Sequence, residues 1–146
     1  MSPYLLDVNV LVAMAWPRHS AHSTVQKWLA RYAQEIWATC PFTQTGFVRI
    51  ISNPAFSRDA LSPKQALSLL RVNLDHPNHR FWPDTLEVND AMTKVRPVTG
   101  HNQITDAYLL ALAISRRGTL VTLDKSVANL MLPSAGASGR RAVIVL

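Results

Sequence analysis

The chain has 146 residues, enough for one domain and too few for two ordinary ones. Hydrophobic residues make up 48% of it, which excludes wholesale disorder, and its single cysteine, Cys40, excludes an internal disulfide framework and a cysteine-based zinc site. With 15 Lys and Arg against 9 Asp and Glu, the formal charge is +6 and the pI about 10.1, a balance suited to a polyanionic partner such as nucleic acid or an acidic protein.

Residues 3–7 form an apolar run that ends in Asp7 and read as a buried strand. Asn9 is the expected N-cap of a helix over residues 10–16, stopped by Pro17. No Lys or Arg precedes this apolar segment, so it lacks the charged start of a signal peptide, and no run approaches the ~20 apolar residues that span a bilayer. A cytoplasmic protein with no membrane contact is expected. Val25, Trp28, Leu29 and Tyr32 recur at helical spacing, predicting an amphipathic helix from His19 to about Ala33, with Trp28 and Tyr32 on its core face. Residues 35–39 read as a second strand. Pro41 opens a helix carrying Gln44, Phe47, Ile50 and Ile51, and Asn53-Pro54 ends it.

Ser62-Pro63 opens the next helix, with Ser62 as N-cap. Residues 76–79 are expected to be a loop; His76 and His79 resemble a metal pair only superficially, because no third ligand stands near. Phe81-Trp82 is a short strand candidate closed by Pro83-Asp84, and a short helix is expected within residues 87–95. A loop over residues 100–103 leads into a helix from Thr105-Asp106 to Arg117, with Gly118 at its end. Residues 119–123 form a strand followed by Asp124, residues 125–131 a short helix, and residues 142–146 a last buried strand. Strands and helices alternate, and the strands are apolar without a polar face. That pattern predicts a single α/β domain over residues 1–146, a parallel sheet with helices on both faces.

With so few acids, each one's place matters. Asp7, Asp84 and Asp124 follow predicted strands and Asp106 starts a helix. In an open parallel sheet, sites form outside the carboxyl ends of the strands. Carboxylates gathered there repel one another unless a cation intervenes, and Mg²⁺ or Mn²⁺ is the natural choice for carboxylate oxygen. On a basic protein this points to metal-assisted phosphodiester hydrolysis. Taken singly, each acid also has a plain role: a turn residue or cap at Asp7, Asp84 or Asp124, and a helix-dipole partner at Asp106.

The segments Leu5-Leu6-Asp7-Val8-Asn9-Val10-Leu11, Thr39-Cys40-Pro41-Phe42-Thr43-Gln44-Thr45-Gly46-Phe47-Val48-Arg49, Ile104-Thr105-Asp106-Ala107-Tyr108-Leu109-Leu110 and Leu120-Val121-Thr122-Leu123-Asp124 resemble, in order and separation, the four motifs of PIN-domain ribonucleases. Over nearly the whole chain the similarity is closest to VapC-type toxins of toxin–antitoxin pairs. The resemblance implies a three-layer α/β/α PIN-like domain with a mainly parallel central sheet. It also implies a Mg²⁺- or Mn²⁺-dependent endoribonuclease that leaves a 5′ phosphate and a 3′ hydroxyl, a homodimer, and a VapB-like antitoxin that covers the site. Asp7, Asp106 and Asp124 match the family's acidic metal-site positions. Gln44 departs from the Glu that many members carry, which leaves open a catalytically impaired PIN-like module that binds RNA or protein. An Asp-nucleophile phosphotransferase built on Asp7 fits less well, because Asn9 stands where its second carboxylate belongs.

Around these acids, Thr122 shares a strand face with Asp124 and offers a hydroxyl to a carboxylate or to water. Asn9 either orients Asp7 or caps the helix. Asp84 either brings a further carboxylate to the site or closes a turn. Arg49 either contacts phosphate or pairs with an acid. His101, in the loop before Asp106, and the Arg140-Arg141 pair are the other candidate RNA contacts.

Overall fold

Three partly or fully buried residues, Tyr4–Leu6, form strand β1, and the chain turns at Asp7 directly into helix α1, Val8–Ala15. In the computed structural model, which describes residues 2–133 and 141–146, α2 follows over His22–Arg31, β2 over Trp37–Thr39, α3 over Pro41–Ile51 and α4 over Pro63–Leu74. Then come β3, His79–Phe81, and α5, Val88–Met92. A 3₁₀ turn at His101–Gln103 leads into α6, Ile104–Ser115, and then β4, Thr119–Thr122. A second 3₁₀ segment, Lys125–Leu130, precedes β5, Val143–Val145.

The five strands lie in the order β3-β2-β1-β4-β5, and every pair is parallel. Because side chains alternate across a strand, the register sorts the core into two layers. Leu5, Ala38, Leu120 and Val143 are neighbours across the sheet and pack with Leu109, Leu112, Ala91 and Val127 of the α5–α6 side. Leu6, Val121 and Trp37 face the other way, against Val10, Val25, Phe47 and Leu70 of α1–α4. This is the three-layer α/β/α arrangement. Among the described residues no helix is long and apolar enough to cross a membrane.

Four local expectations change. Asn9 does not cap α1; the strand ends at Leu6 and the helix starts at Val8, so Asp7 is the only residue left to cap, and its carboxylate accepts the Val8 N–H at 2.7 Å. The second helix starts at His22, because residues 17–21 form turns. The third strand is His79–Phe81 rather than Phe81-Trp82: it pairs residue for residue with Trp37–Thr39, and the buried Trp82 donates its N–H to the Thr39 carbonyl just past the strand. His79 is therefore a strand residue, not a loop residue.

The last change is at the end of α6. The left-handed residue there is Arg117 (φ 54°), not Gly118. Gly118 N–H reaches back to the Ala113 carbonyl and Arg117 N–H to that of Ile114, the two bonds of a Schellman end. Gly118 serves a close approach instead: a Cβ there would lie 2.7 Å from the Pro3 carbonyl oxygen and 2.8 Å from the Trp82 ring. Arg117 accepts a conformation that costs an L residue about 1–2 kcal/mol. Gly118→Ala is expected to lower stability by about 1–3 kcal/mol in denaturant titration. Arg117→Gly, which removes the strain without touching that contact, is expected to be neutral or stabilising.

Candidate active site

The chain runs outward from β1 to β2 and β3, then returns to place β4 on the other side of β1. The crevice at such a reversal, outside the carboxyl ends of the strands, is where an open α/β sheet gathers ligands. Asp7 leaves β1 and Asp124 lies just past β4, so strand pairing brings them to neighbouring points on one edge. Asp106 enters from the first turn of α6.

Thr122 ties this edge together. Its hydroxyl donates to Asp7 Oδ2 at 2.7 Å and accepts the Asp124 backbone N–H at 3.1 Å. Asp7 is only 5% exposed; its own backbone N–H donates to the Val121 carbonyl at 2.9 Å, and its Oδ1 accepts the Val8 N–H. Both carboxylate oxygens are thus fixed, each with a lone pair to spare. Asp124 caps the following 3₁₀ segment through Oδ1, which accepts from the Ser126 N–H at 2.9 Å and the Ser126 hydroxyl at 2.7 Å. Its capping role occupies one oxygen and leaves Oδ2 without a hydrogen bond among the described residues.

The electrostatics are those of crowded like charges. Burial pushes the Asp7 carboxyl above its ordinary range and Asp124 adds to the shift, while the bonds from Thr122 and Val8 pull it back. Burial, then the charges of Asp7 and Asp124, push Asp106 up to about 6. Asp106 accepts no side-chain hydrogen bond among the described residues, so nothing there offsets the rise. A divalent cation held by these hard oxygen donors would relieve both the repulsion and the desolvation that raise Asp7 and Asp106. Among the described residues no group of three or more His, Cys, Asp or Glu side chains is gathered closely enough to hold a metal ion as it stands. The acids therefore mark the place by charge rather than by finished coordination.

The other candidates fall elsewhere. Asp84 reaches the same sheet edge after β3, but β3 is two strands from β1, roughly 10 Å away at normal strand spacing. Its charge is felt at Cys40 and Tyr108, not at the three acids. Gln44 donates its amide to Thr39 Oγ1 at 2.9 Å and lines a groove against Lys64, Leu67 and Leu70 of α4. Among the described residues no hydrogen bond joins it to the acids. Arg49, at the far end of α3, lines a pocket on the same α3–α4 face and forms no ion pair among the described residues. His101 is exposed in the turn that leads into α6. Arg141 precedes β5, and its carbonyl accepts from Thr119 at the start of β4, so it stands at the amino edge, opposite the acids. Arg140 lies outside the described residues. Asn9 is exposed in the first turn of α1, beside Asp124.

Sequence reasoning missed the pair that holds Gln44. Thr39 is fully buried, and its Oγ1 also meets His79 Nε2 at 2.8 Å. Burial lowers the His79 pKa, so the ring is neutral near pH 7. A threonine in a strand and a histidine among turn residues carry no signal of their own; only the pairing of β2 with β3 brings them together.

A family model described as the PIN domain matches residues 4–130. Ribonuclease VapC39 of Mycobacterium tuberculosis (strain ATCC 25618 / H37Rv) is 38% identical over 126 residues, 86% of this chain and 91% of the relative. Ribonuclease VapC44 of the same strain is 39% identical over 132 residues, 90% and 92% of the two chains. Among solved structures, VapBC2 from Rickettsia felis bound to a promoter DNA fragment superposes with a TM-score of 0.64 at 16% identity, over 99% of this chain and 98% of that one. DNA-bound VapBC from Salmonella typhimurium gives a TM-score of 0.60 at 12% identity. At those identities the structures support the fold alone.

The raised proton affinity of Asp106 has a measurable consequence. Its folded pKa of about 6 lies above the ordinary carboxyl value of 3.8, so the folded chain binds the proton more tightly than the unfolded one. Ionising Asp106 therefore costs the metal-free protein stability as pH rises through that interval. In EDTA, Asp106→Asn is expected to melt higher than wild type above about pH 6 and to lose that advantage below about pH 4. Thermal melts across a pH series measure it; a gain that persists at low pH would have another origin.

Proposed function

Since the chain belongs to the PIN-domain family, alongside the VapC ribonucleases, we propose that it is the ribonuclease toxin of a toxin–antitoxin pair, a Mg²⁺- or Mn²⁺-dependent endoribonuclease that hydrolyses RNA phosphodiester bonds. The observation that supports this most directly is the gathering of three carboxylates, Asp7, Asp106 and Asp124, at the reversal point of the sheet, where burial and like charge raise the proton affinity of Asp7 and Asp106.

Asp7, Asp106 and Asp124 are the residues that would hold the cation, which when bound neutralises phosphate charge and lowers the pKa of water. The chain's own residues supply position. Thr122 and the Val8 N–H fix the Asp7 carboxylate so that it does not reorganise as charge develops. Ser126 holds Asp124 from the other side. The proton that the attacking water gives up passes to solvent or to a carboxylate oxygen that the cation leaves free. The water oxygen bonds to phosphorus, the bond to the 3′ oxygen breaks, and that oxygen leaves with the electron pair and is protonated. The products are a 5′ phosphate and a 3′ hydroxyl.

The proposed partners are RNA, a VapB-like antitoxin and a second copy of this chain, in the cytoplasm. The similar solved structures are VapBC complexes, which favours the antitoxin. Gln44 brings no charge, and its amide is bonded to Thr39. In this mechanism the three aspartates suffice without it.

The test is cleavage of total RNA by purified protein. Wild type with Mg²⁺ or Mn²⁺ is expected to cut, EDTA to stop it, and Asp7→Asn to lower the rate by about 100-fold or more, the scale of losing one preorganised group at the reacting centre. Cleavage that survives both treatments would reject the mechanism. RNA binding without cleavage by wild type would favour the impaired binding module. Thr122→Val is expected to slow cleavage about 10-fold, in keeping with the 1.5–3 kcal/mol of a hydrogen bond to a charged group, and Thr122→Ser to restore it.

A further inference from the structure

Beside the acids lies a cavity of about 670 Å³ that the mechanism does not use. It is lined by Asn9, His19, Ser20, Ala21, Leu123 and by Asp124 with Lys125. Asn9 stands two residues after Asp7 in α1, and Asp124 belongs to the acid set, so the cavity opens directly onto the reacting centre. It is an open surface groove rather than an enclosed cavity, the form that suits a strand lying across it.

The lining is rich in unspent donors. His19 Nδ1 accepts the Ala21 N–H at 3.0 Å, so the neutral ring carries its proton on Nε2, which has no partner among the described residues. Burial, helped by the nearby His22, lowers the His19 pKa and keeps the ring in that neutral form. The Asn9 side-chain amide has no hydrogen bond among the described residues, and Lys125 is exposed with no ion pair among them. Leu123 and Ala21 add apolar surface of the kind a ribose or base edge covers.

The wall that carries His19 is also braced. His22 Nδ1 donates to the Ala13 carbonyl at 2.7 Å, and Gln26 donates to the Met14 carbonyl at 3.0 Å, pinning the start of α2 to the end of α1. His19 N–H donates to the Trp16 carbonyl and His22 N–H to that of His19, so the intervening turn is closed on itself. Arg18 is bonded to Asp59 across the outside of this turn. The His19 donor is held in place before a ligand arrives, which reduces the ordering cost of binding.

We infer that this cavity is an RNA subsite: it holds the nucleotide next to the scissile phosphate, with Lys125 on a phosphate oxygen and the His19 Nε2–H and Asn9 amide on base or ribose oxygens. The inference rests on the ribonuclease reading. Three carboxylates at the reacting centre repel a polyanion, and Lys125 in a donor-rich recess one nucleotide away offsets part of that repulsion where the strand must pass. Lys125 supplies affinity without sequence; His19 and Asn9 contribute to base preference.

Two measurements on a labelled RNA that contains a mapped cleavage site test the subsite separately from the chemistry. In steady-state cleavage, His19→Ala and Lys125→Ala are each expected to raise KM about 5-fold with kcat nearly unchanged, the pattern of lost uniform binding. His19→Gln, which keeps a donor, is expected to recover much of the loss, and His19→Ala to relax the base preference next to the cut. In equilibrium binding by fluorescence anisotropy with EDTA, Lys125→Ala is expected to flatten the salt dependence of log affinity by about one unit of slope. If wild type cleaves and all three variants match it in KM, cut-site preference and salt slope, the subsite is wrong and the nuclease stands. If wild type does not cleave, the ribonuclease reading falls; the binding data then decide the subsite alone, with weakened binding by the variants supporting it and unchanged binding overturning it.

Discussion

Parallel pairing of β1 with β4 decides where the negative charge of this basic protein is concentrated. Leu6 pairs with Val121, so the next residues of the two strands, Asp7 and Thr122, meet at the crevice, and Asp124 follows two residues later. The Thr122 hydroxyl then joins the two acidic segments by donating to one carboxylate and accepting the backbone N–H of the other residue. A single buried hydroxyl thus fixes the spacing of two carboxylates that would otherwise move apart. Strip the pairing away, and Asp7 and Asp124 are more than a hundred residues distant along the chain.

This arrangement stores unfavourable electrostatics at one point. Folding buries Asp7 almost completely and holds Asp106 near two like charges, and in both the carboxyl proton is held more tightly as a result. A stable protein tolerates such a point when the rest of the core is well packed, as the two apolar layers on either side of this sheet are. The chain as a whole carries a charge of +6, so this point is a local concentration of negative charge on a basic protein. The donor-lined cavity next to Asp124 lies close to the acids yet carries Lys125.

Much of the fold could be read from residue order. Apolar strands without a polar face, separated by helical segments, require a sheet covered on both sides, and Ser62 with Pro63 marked the start of α4, where the Ser62 hydroxyl accepts the Gln65 N–H. Element ends were less legible because neighbours in space set them. Asn9 has the chemistry of a cap, but the strand before it stops at Leu6 and leaves that role to Asp7. Gly118 looked like a helix terminator because glycine is the usual residue there; contact with Pro3 and the Trp82 ring is what requires it, and Arg117 takes the left-handed position.

The site divides in the same way. The sequence by itself determined which groups are available: few acids, three of them after predicted strands and one at the start of a helix, on a strongly basic chain. Local chemistry of that kind depends on near neighbours, and it survives without knowledge of the fold. Which acids meet was decided only by the tertiary structure. Asp84 leaves a strand just as Asp7 and Asp124 do, yet the order β3-β2-β1-β4-β5 places it two strands from Asp7. Gln44 is turned to Thr39 because β2 pairs with β3 and so brings His79 to the same hydroxyl. Arg141 precedes β5, and in a parallel sheet that assigns it to the edge opposite the acids. Strand order is set by how the two apolar layers close over the whole sheet, a property that no single segment of the chain contains.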